Sequence, residues 1–77
     1  MGNNRPIKTK TWIKFLKAHG CVFKRSKASH FHYKCPKCFR TVTHRENDKE
    51  IPALHLRTNL NTMGKNLEYL YDWVEKN

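Results

Sequence analysis

Apolar positions along this chain change period twice, from helical spacing to alternation and back. Between Thr9 and His19, the residues Trp12, Ile13, Phe15 and Leu16 fall at helical spacing, with Thr9 or Thr11 as candidate N-cap and Gly20 as stop. Cys21 to Arg25 alternates instead. His30 to Cys35 alternates again, with Phe31, Tyr33 and Cys35 on one face and His30, His32 and Lys34 on the other. Ser26-Lys27-Ala28-Ser29 predicts a turn between these strands, and Pro36 with Lys37 a tight connection to a third strand over Phe39 to His44. Glu46 to Glu50 reads as a loop. After Pro52, Leu56, Leu60 and Met63 return to helical spacing until Gly64. Leu67, Leu70, Tyr71 and Val74 then follow i, i+3, i+4, i+7, with Asn66 as N-cap and Glu68 in the first turn.

The order helix, three strands, helix, helix predicts one α+β unit, its helices covering one face of a three-stranded antiparallel sheet. Residues 1–8 are expected to be a flexible basic arm, the polar run ending near Pro6, and residues 9–77 a single domain. The uncovered sheet face would present His30, His32 and Lys34. Trp12, Phe15, Phe31 and Trp73 fit core or subunit contacts better than base stacking, and so do Phe23, Phe39 and the tyrosines.

Charge changes the picture from fold to partner. The net charge is +10, and it is segregated: residues 1–45 hold twelve Lys and Arg and no acid, whereas residues 46–77 hold four bases and six acids. Solubility does not require acids to be excluded from more than half of a chain, so a polyanion partner is expected. A membrane surface fits less well than nucleic acid, because the basic stretch is not one continuous amphipathic helix. No run approaches the roughly 18 apolar residues of a membrane span, and MGNNRPIKTK has no apolar core to serve as a signal peptide, so the cytoplasm is the expected compartment. Seventy-seven residues bury a thin core, which puts any active site on the surface.

Three cysteines, an odd number, point to reduced thiols rather than a disulfide framework. Cys35-Pro36-Lys37-Cys38 has the shape of a zinc knuckle, but a structural zinc takes four protein ligands and the second pair is missing. A plain hairpin tip with two reduced cysteines is therefore expected, with Cys21 as a small core residue and no cofactor.

The leading helix ending in His19-Gly20, the basic strand Val22 to Arg25, Lys27-Ala28-Ser29-His30, a hairpin, and Lys49-Glu50-Ile51-Pro52 before a helix together resemble the HicA toxin family over roughly residues 8–64. The resemblance implies a double-stranded-RNA-binding-like α-β-β-β-α fold, here with an extra C-terminal helix, metal-free cleavage of mRNA, and neutralisation by a HicB-like antitoxin. The family's Gly-Ser-His sequence carries its catalytic histidine, and the matching position is His30. Ala28 stands where the family usually has Gly. A second family histidine has no counterpart, since Glu46 falls there and His44 lies two residues earlier.

The residues support the same chemistry independently. RNA brings its own nucleophile, the 2′-hydroxyl, so one imidazole that moves protons near neutral pH, with cations for the phosphorane charge, is enough equipment for cleavage. His30 is the expected catalytic residue. Lys24, Arg25, Lys27, Ser29, His32 and Lys34 surround it and are expected to contact RNA. His19 and His55 fall on predicted helices and read as surface or capping residues. A monomer or weak dimer is expected. The alternatives are a non-catalytic RNA-binding domain of the same fold and a zinc-dependent nucleic-acid adaptor built on Cys35 and Cys38.

Overall fold

In a computed structural model, which describes residues 5–45 and 47–77, eight elements follow one another. They are β1 (Ile7–Lys8), α1 (Thr9–Ala18), β2 (Val22–Lys27), β3 (His30–Lys34), β4 (Val42–Arg45), β5 (Glu50–Ile51), α2 (Ala53–Thr62) and α3 (Leu67–Lys76). The main sheet is antiparallel in the order β2-β3-β4, and the three helices complete the α-β-β-β-α plan with its C-terminal addition. Trp12, Phe15 and Leu16 of α1, Val42 of β4, Leu56 and Leu60 of α2 and Leu70 of α3 have no exposed surface and form one core. The 3.6-residue period of each helix and the two-residue period of each strand aim those side chains at a common interior.

Helix α1 starts without the threonine cap expected of it. Lys8 occupies the cap position and offers no side-chain hydrogen bond. Thr9 instead ties the helix start to the loop before β5, donating its hydroxyl to the Asp48 carbonyl and its N–H to the Lys49 carbonyl. Ile7 and Lys8 pair with Ile51 and Glu50, and Ile7 is buried, so the end of the expected arm is stitched into the domain. The remainder, residues 1–4, lies outside the described residues. At the other end of α1 the sequence reading holds: Gly20 adopts φ 79°, a backbone state open to glycine without penalty.

The β2–β3 hairpin closes on Ala28 and Ser29, with φ of 51° and 65°. Two consecutive left-handed residues are what a two-residue turn needs to follow the twist of its strands. Ala28 thus holds a conformation that costs an L-residue energy and glycine none. The third strand covers Val42–Arg45 rather than Phe39–His44, and Phe39 is fully exposed instead of joining the core. After Pro36 the chain turns tightly, with the Cys38 N–H donating to the Cys35 carbonyl, and this tucks Cys38 inward and leaves its neighbour outside.

The cysteines correct the sequence reading. Cys21 and Cys35 form a disulfide, and Cys38 is a buried free thiol. The hairpin register explains the pair: Val22 lies opposite Lys34, so Cys21 and Cys35 are the next positions beyond the ladder, with Cα atoms 4.0 Å apart. With Cys35 engaged, the Cys35–Cys38 knuckle cannot present two thiolates, and the zinc-adaptor reading falls. The argument for a reducing compartment from unpaired thiols loses its basis too. Among the described residues, no helix is long and apolar enough to cross a membrane.

The last helix follows its pattern closely. The Asn66 side chain caps α3 by accepting the Tyr69 N–H at 2.8 Å, satisfying one of the unpaired donors of the first turn. Trp73 packs edge-on against Phe15, and His19 stacks on Phe15 with ring centroids 4.2 Å apart. His19 donates from Nδ1 to the Phe15 carbonyl and lies 2.8 Å from the Tyr69 hydroxyl through Nε2, joining the end of α1 to α3. This is the capping role expected of it.

Candidate functional site

Facing residues on neighbouring antiparallel strands project from the same face of the sheet, so the register assembles the site. Lys27 lies opposite His30, and His30 opposite Arg45, which makes one row of Lys27, His30 and Arg45 across β2, β3 and β4. Arg25, His32 and Thr43 make the next row. On the alternate face Tyr33, Val42 and His44 are buried against the helices. The sides of β3 are those that alternation predicts, with Phe31 and Tyr33 toward the core, although of the five residues only Tyr33 is buried and His30, His32 and Lys34 are half-buried.

His30 sits at the first position of β3, where the left-handed turn hands the chain back to the sheet. Its Nδ1 lies 3.0 Å from the Ala28 carbonyl. A carbonyl oxygen only accepts, so Nδ1 carries the proton and Nε2 of the neutral ring is left as a lone pair. His30 borders two adjoining clefts of about 250 Å³ each. One is shared with Arg45, His55, Thr58 and Asn59 between β4 and α2; the other is shared with Ser29, Arg45, Asn47 and Asp48 under the turn. Cleft, imidazole and guanidinium coincide.

The wall opposite the sheet is fixed by a buried amide. Asn59 of α2 donates to the Thr43 carbonyl at 2.7 Å and accepts the Thr43 N–H at 3.2 Å, pairing the outer edge of β4 as another strand would. One helical turn earlier on the same face stands His55, which lines the cleft. A turn of helix and two residues of strand advance the chain by similar lengths, about 6 Å, which keeps His55 alongside Arg45.

His44 also borders this cleft, but from below the sheet. Its Nδ1 donates to the Arg45 carbonyl and its ring stacks on Tyr33, while Nε2 is buried with no hydrogen-bond partner among the described residues. Burial pushes its pKa below the ordinary histidine value, opposed by the Arg45 carbonyl and by Asp48 and reinforced by His30. It is a packing group, and its Nε2 is closed to solvent.

Of the residues expected to contact RNA, Arg25, Lys27 and His32 lie around His30 on the open face, and Ser29 lines the adjoining cleft. Lys24 falls at the irregularity between Phe23 and Arg25, outside both rows. Lys34 donates its ammonium to the Cys38 carbonyl, closing the loop after β3, and His32 lies 3.4 Å from the Thr41 hydroxyl. Sequence reasoning missed Arg45 because it ended the third strand one residue early. It passed over Asn59, whose signal was a polar residue one position before Leu60 in the apolar stripe of α2; His55, read as a surface or capping residue, is exposed and lines the cleft. The family position occupied by Glu46 lies outside the described residues.

No curated protein and no solved structure matches this chain. The family model described as the HicA toxin of bacterial toxin-antitoxin matches residues 9–64, which span the disulfide-bonded hairpin, the row around His30 and all of α2. An antitoxin partner is implied by that match. The chain belongs to the HicA toxin family.

Proposed function

We propose that this protein is a toxin endoribonuclease that cleaves mRNA without a metal ion, with His30 as its catalytic base, and that a HicB-like antitoxin holds it in check. The observation that carries the reading is the row Lys27, His30, Arg45, in which an imidazole with its Nε2 free stands between two cations at the mouth of a cleft. In such a row a phosphodiester is held by the cations while Nε2 takes the proton of the adjacent 2′-hydroxyl. The oxygen attacks phosphorus, and Arg45 faces the charge that builds on the phosphoryl oxygens. Arg25, Lys27, Ser29 and His32 then carry the flanking strand, and the acid-free run of residues 1–45 steers it in.

The test is RNA cleavage in the presence of a chelator, with affinity measured in parallel. His30→Ala is expected to slow cleavage by about 10²- to 10⁴-fold, the usual effect of losing a general acid or base, with binding retained. His32→Ala, in the neighbouring row, is the matched control and should lose far less. A parent protein that binds RNA without cutting it, or a His30→Ala variant that cuts at the parent rate, overturns the reading in favour of a non-catalytic RNA-binding domain.

A further inference from the structure

Transfer of a phosphoryl group from a 5′-oxygen to a 2′-oxygen involves two protons, one leaving the nucleophile and one reaching the leaving oxygen on the far side of phosphorus. If His30 is the catalytic base, as the proposed function has it, its Nε2 receives the first proton and its Nδ1–H is bound to the Ala28 carbonyl. It has no proton left to give in the same step. A second donor must face it across the scissile group.

The groups around the cleft narrow the choice. Arg45 is a guanidinium, which serves as a fixed charge and not as a proton donor to a leaving group. His44 keeps Nε2 buried beneath the sheet. Thr43 and Thr58 carry only hydroxyls, and Asp48 borders the adjoining cleft rather than this one. Lys27 stands beside His30 on the sheet, on the same side of the phosphorus as the base, and lines neither cleft. His55 remains: an exposed imidazole on α2, on the helix wall of the cleft whose sheet wall carries His30. Its place is not left to a flexible loop, because Asn59, one turn away, is pinned to both backbone groups of Thr43.

We propose that His55 is a second catalytic residue, the general acid that protonates the 5′-oxygen as it leaves. In the step the 2′-oxygen forms a bond to phosphorus and gives its proton to Nε2 of His30. The bond from phosphorus to the 5′-oxygen breaks, and that oxygen takes a proton from the His55 imidazolium. The products are a 2′,3′-cyclic phosphate and a 5′-hydroxyl, with the two histidines left in exchanged protonation states that solvent restores.

A leaving group that needs no proton separates this role from a structural one. At a mapped cleavage site the 5′-oxygen is replaced by sulfur, which departs as a thiolate. His55→Ala is expected to cleave the ordinary RNA about 10²- to 10³-fold more slowly than the parent, yet the sulfur-substituted RNA near the parent rate, with unchanged RNA affinity. His30→Ala should be slow on both. A His55→Ala variant that cleaves ordinary RNA at the parent rate, while His30→Ala is inactive, overturns the assignment of His55 and leaves the ribonuclease reading standing. Equal slowing on both substrates also overturns it, since a positioning or packing defect does not depend on the leaving group. Full activity of His30→Ala, or no cleavage by the parent, fails the ribonuclease reading and this assignment together. Ala favours the helix over His and the site is exposed, so folding does not confound the result.

Discussion

Asn59 hydrogen-bonds Thr43 at both of its backbone groups, at 2.7 Å and 3.2 Å, and so makes helix α2 the neighbour that β4 would otherwise lack. An open strand edge is a row of unpaired donors and acceptors, and here a side-chain amide substitutes for part of the missing strand. Replacing it with a similar-sized apolar residue, Asn59→Leu, leaves the Thr43 N–H and carbonyl facing a hydrocarbon. The expected loss is about 2–3 kcal/mol, from two buried polar groups without partners. Urea denaturation checks this, and an unchanged midpoint would contradict it.

Ala28 is the opposite case, a position where a smaller residue should help. At φ 51° the alanine sits in the left-handed region, which costs an L-residue roughly 1–2 kcal/mol. Glycine removes that cost and gives back part of the gain through its freer unfolded chain. Ala28→Gly should raise stability by about 0.5–1 kcal/mol, seen as a higher melting temperature, and Ala28→Val should lower it. If both variants melt with the parent, the turn does not have the described backbone.

These two positions show where the sequence was legible. The elements of α1, β3 and α3 and the two faces of β3 follow from periodicity, because a half-buried element must repeat its apolar residues at its own period. Asn59 breaks the period of α2, and its partner lies sixteen residues earlier on another element. Nothing local announces such a pair. The cysteine pairing had the same origin: parity of the count suggested free thiols, while the answer depended on hairpin register, which a turn lacking glycine left open. Arg45 joins His30 through the register of β3 on β4, and His55 only through tertiary packing of α2 on β4.

The disulfide between Cys21 and Cys35 bridges fourteen positions, and closing a loop of about this length is worth roughly 3 kcal/mol. Peptide mapping without reductant should recover the Cys21–Cys35 link and a free Cys38. Denaturation with reductant should give a stability lower by about 2–4 kcal/mol. A protein whose three thiols all react with an alkylating reagent when unfolded without reductant contradicts the pairing.

His44 makes stability depend on pH. In the unfolded chain its imidazole titrates near the ordinary value of about 6.5, whereas burial in the fold lowers its pKa. Between those two values the unfolded state binds more protons than the folded one. Its contribution is therefore fully present above about pH 6.5 and is lost as pH falls toward the folded value. His44→Phe keeps the stacking on Tyr33 and removes the titration. The drop in melting temperature between about pH 7.5 and about pH 5.5 should be smaller in the variant than in the parent; an equal drop assigns the pH dependence to other groups.

Arg45 and Arg25 occupy adjacent rows of the same open face, Arg45 beside His30 and Arg25 beside His32, and they should fail differently. Both are exposed, so replacing either with alanine should change stability by no more than about 0.5 kcal/mol. Arg45 shares both clefts with His30, where under the proposed function it would face the phosphorane rather than the ground-state phosphate alone. Arg45→Ala is therefore expected to lower the cleavage rate at saturating RNA by about 10²- to 10³-fold, the effect of removing one stabiliser of transition-state charge. Arg25 lies one row away, where under the proposed function it would meet the flanking backbone, which carries the same charge before and during the reaction. Arg25→Ala should weaken RNA affinity and reduce the slope of its salt dependence by about one, with the saturated rate unchanged. Single-turnover cleavage and salt-dependent binding of both variants measure the contrast. Equal effects on rate would mean that the scissile phosphate is not held in the row of His30, and that the cleft between β4 and α2 is not where the chemistry takes place.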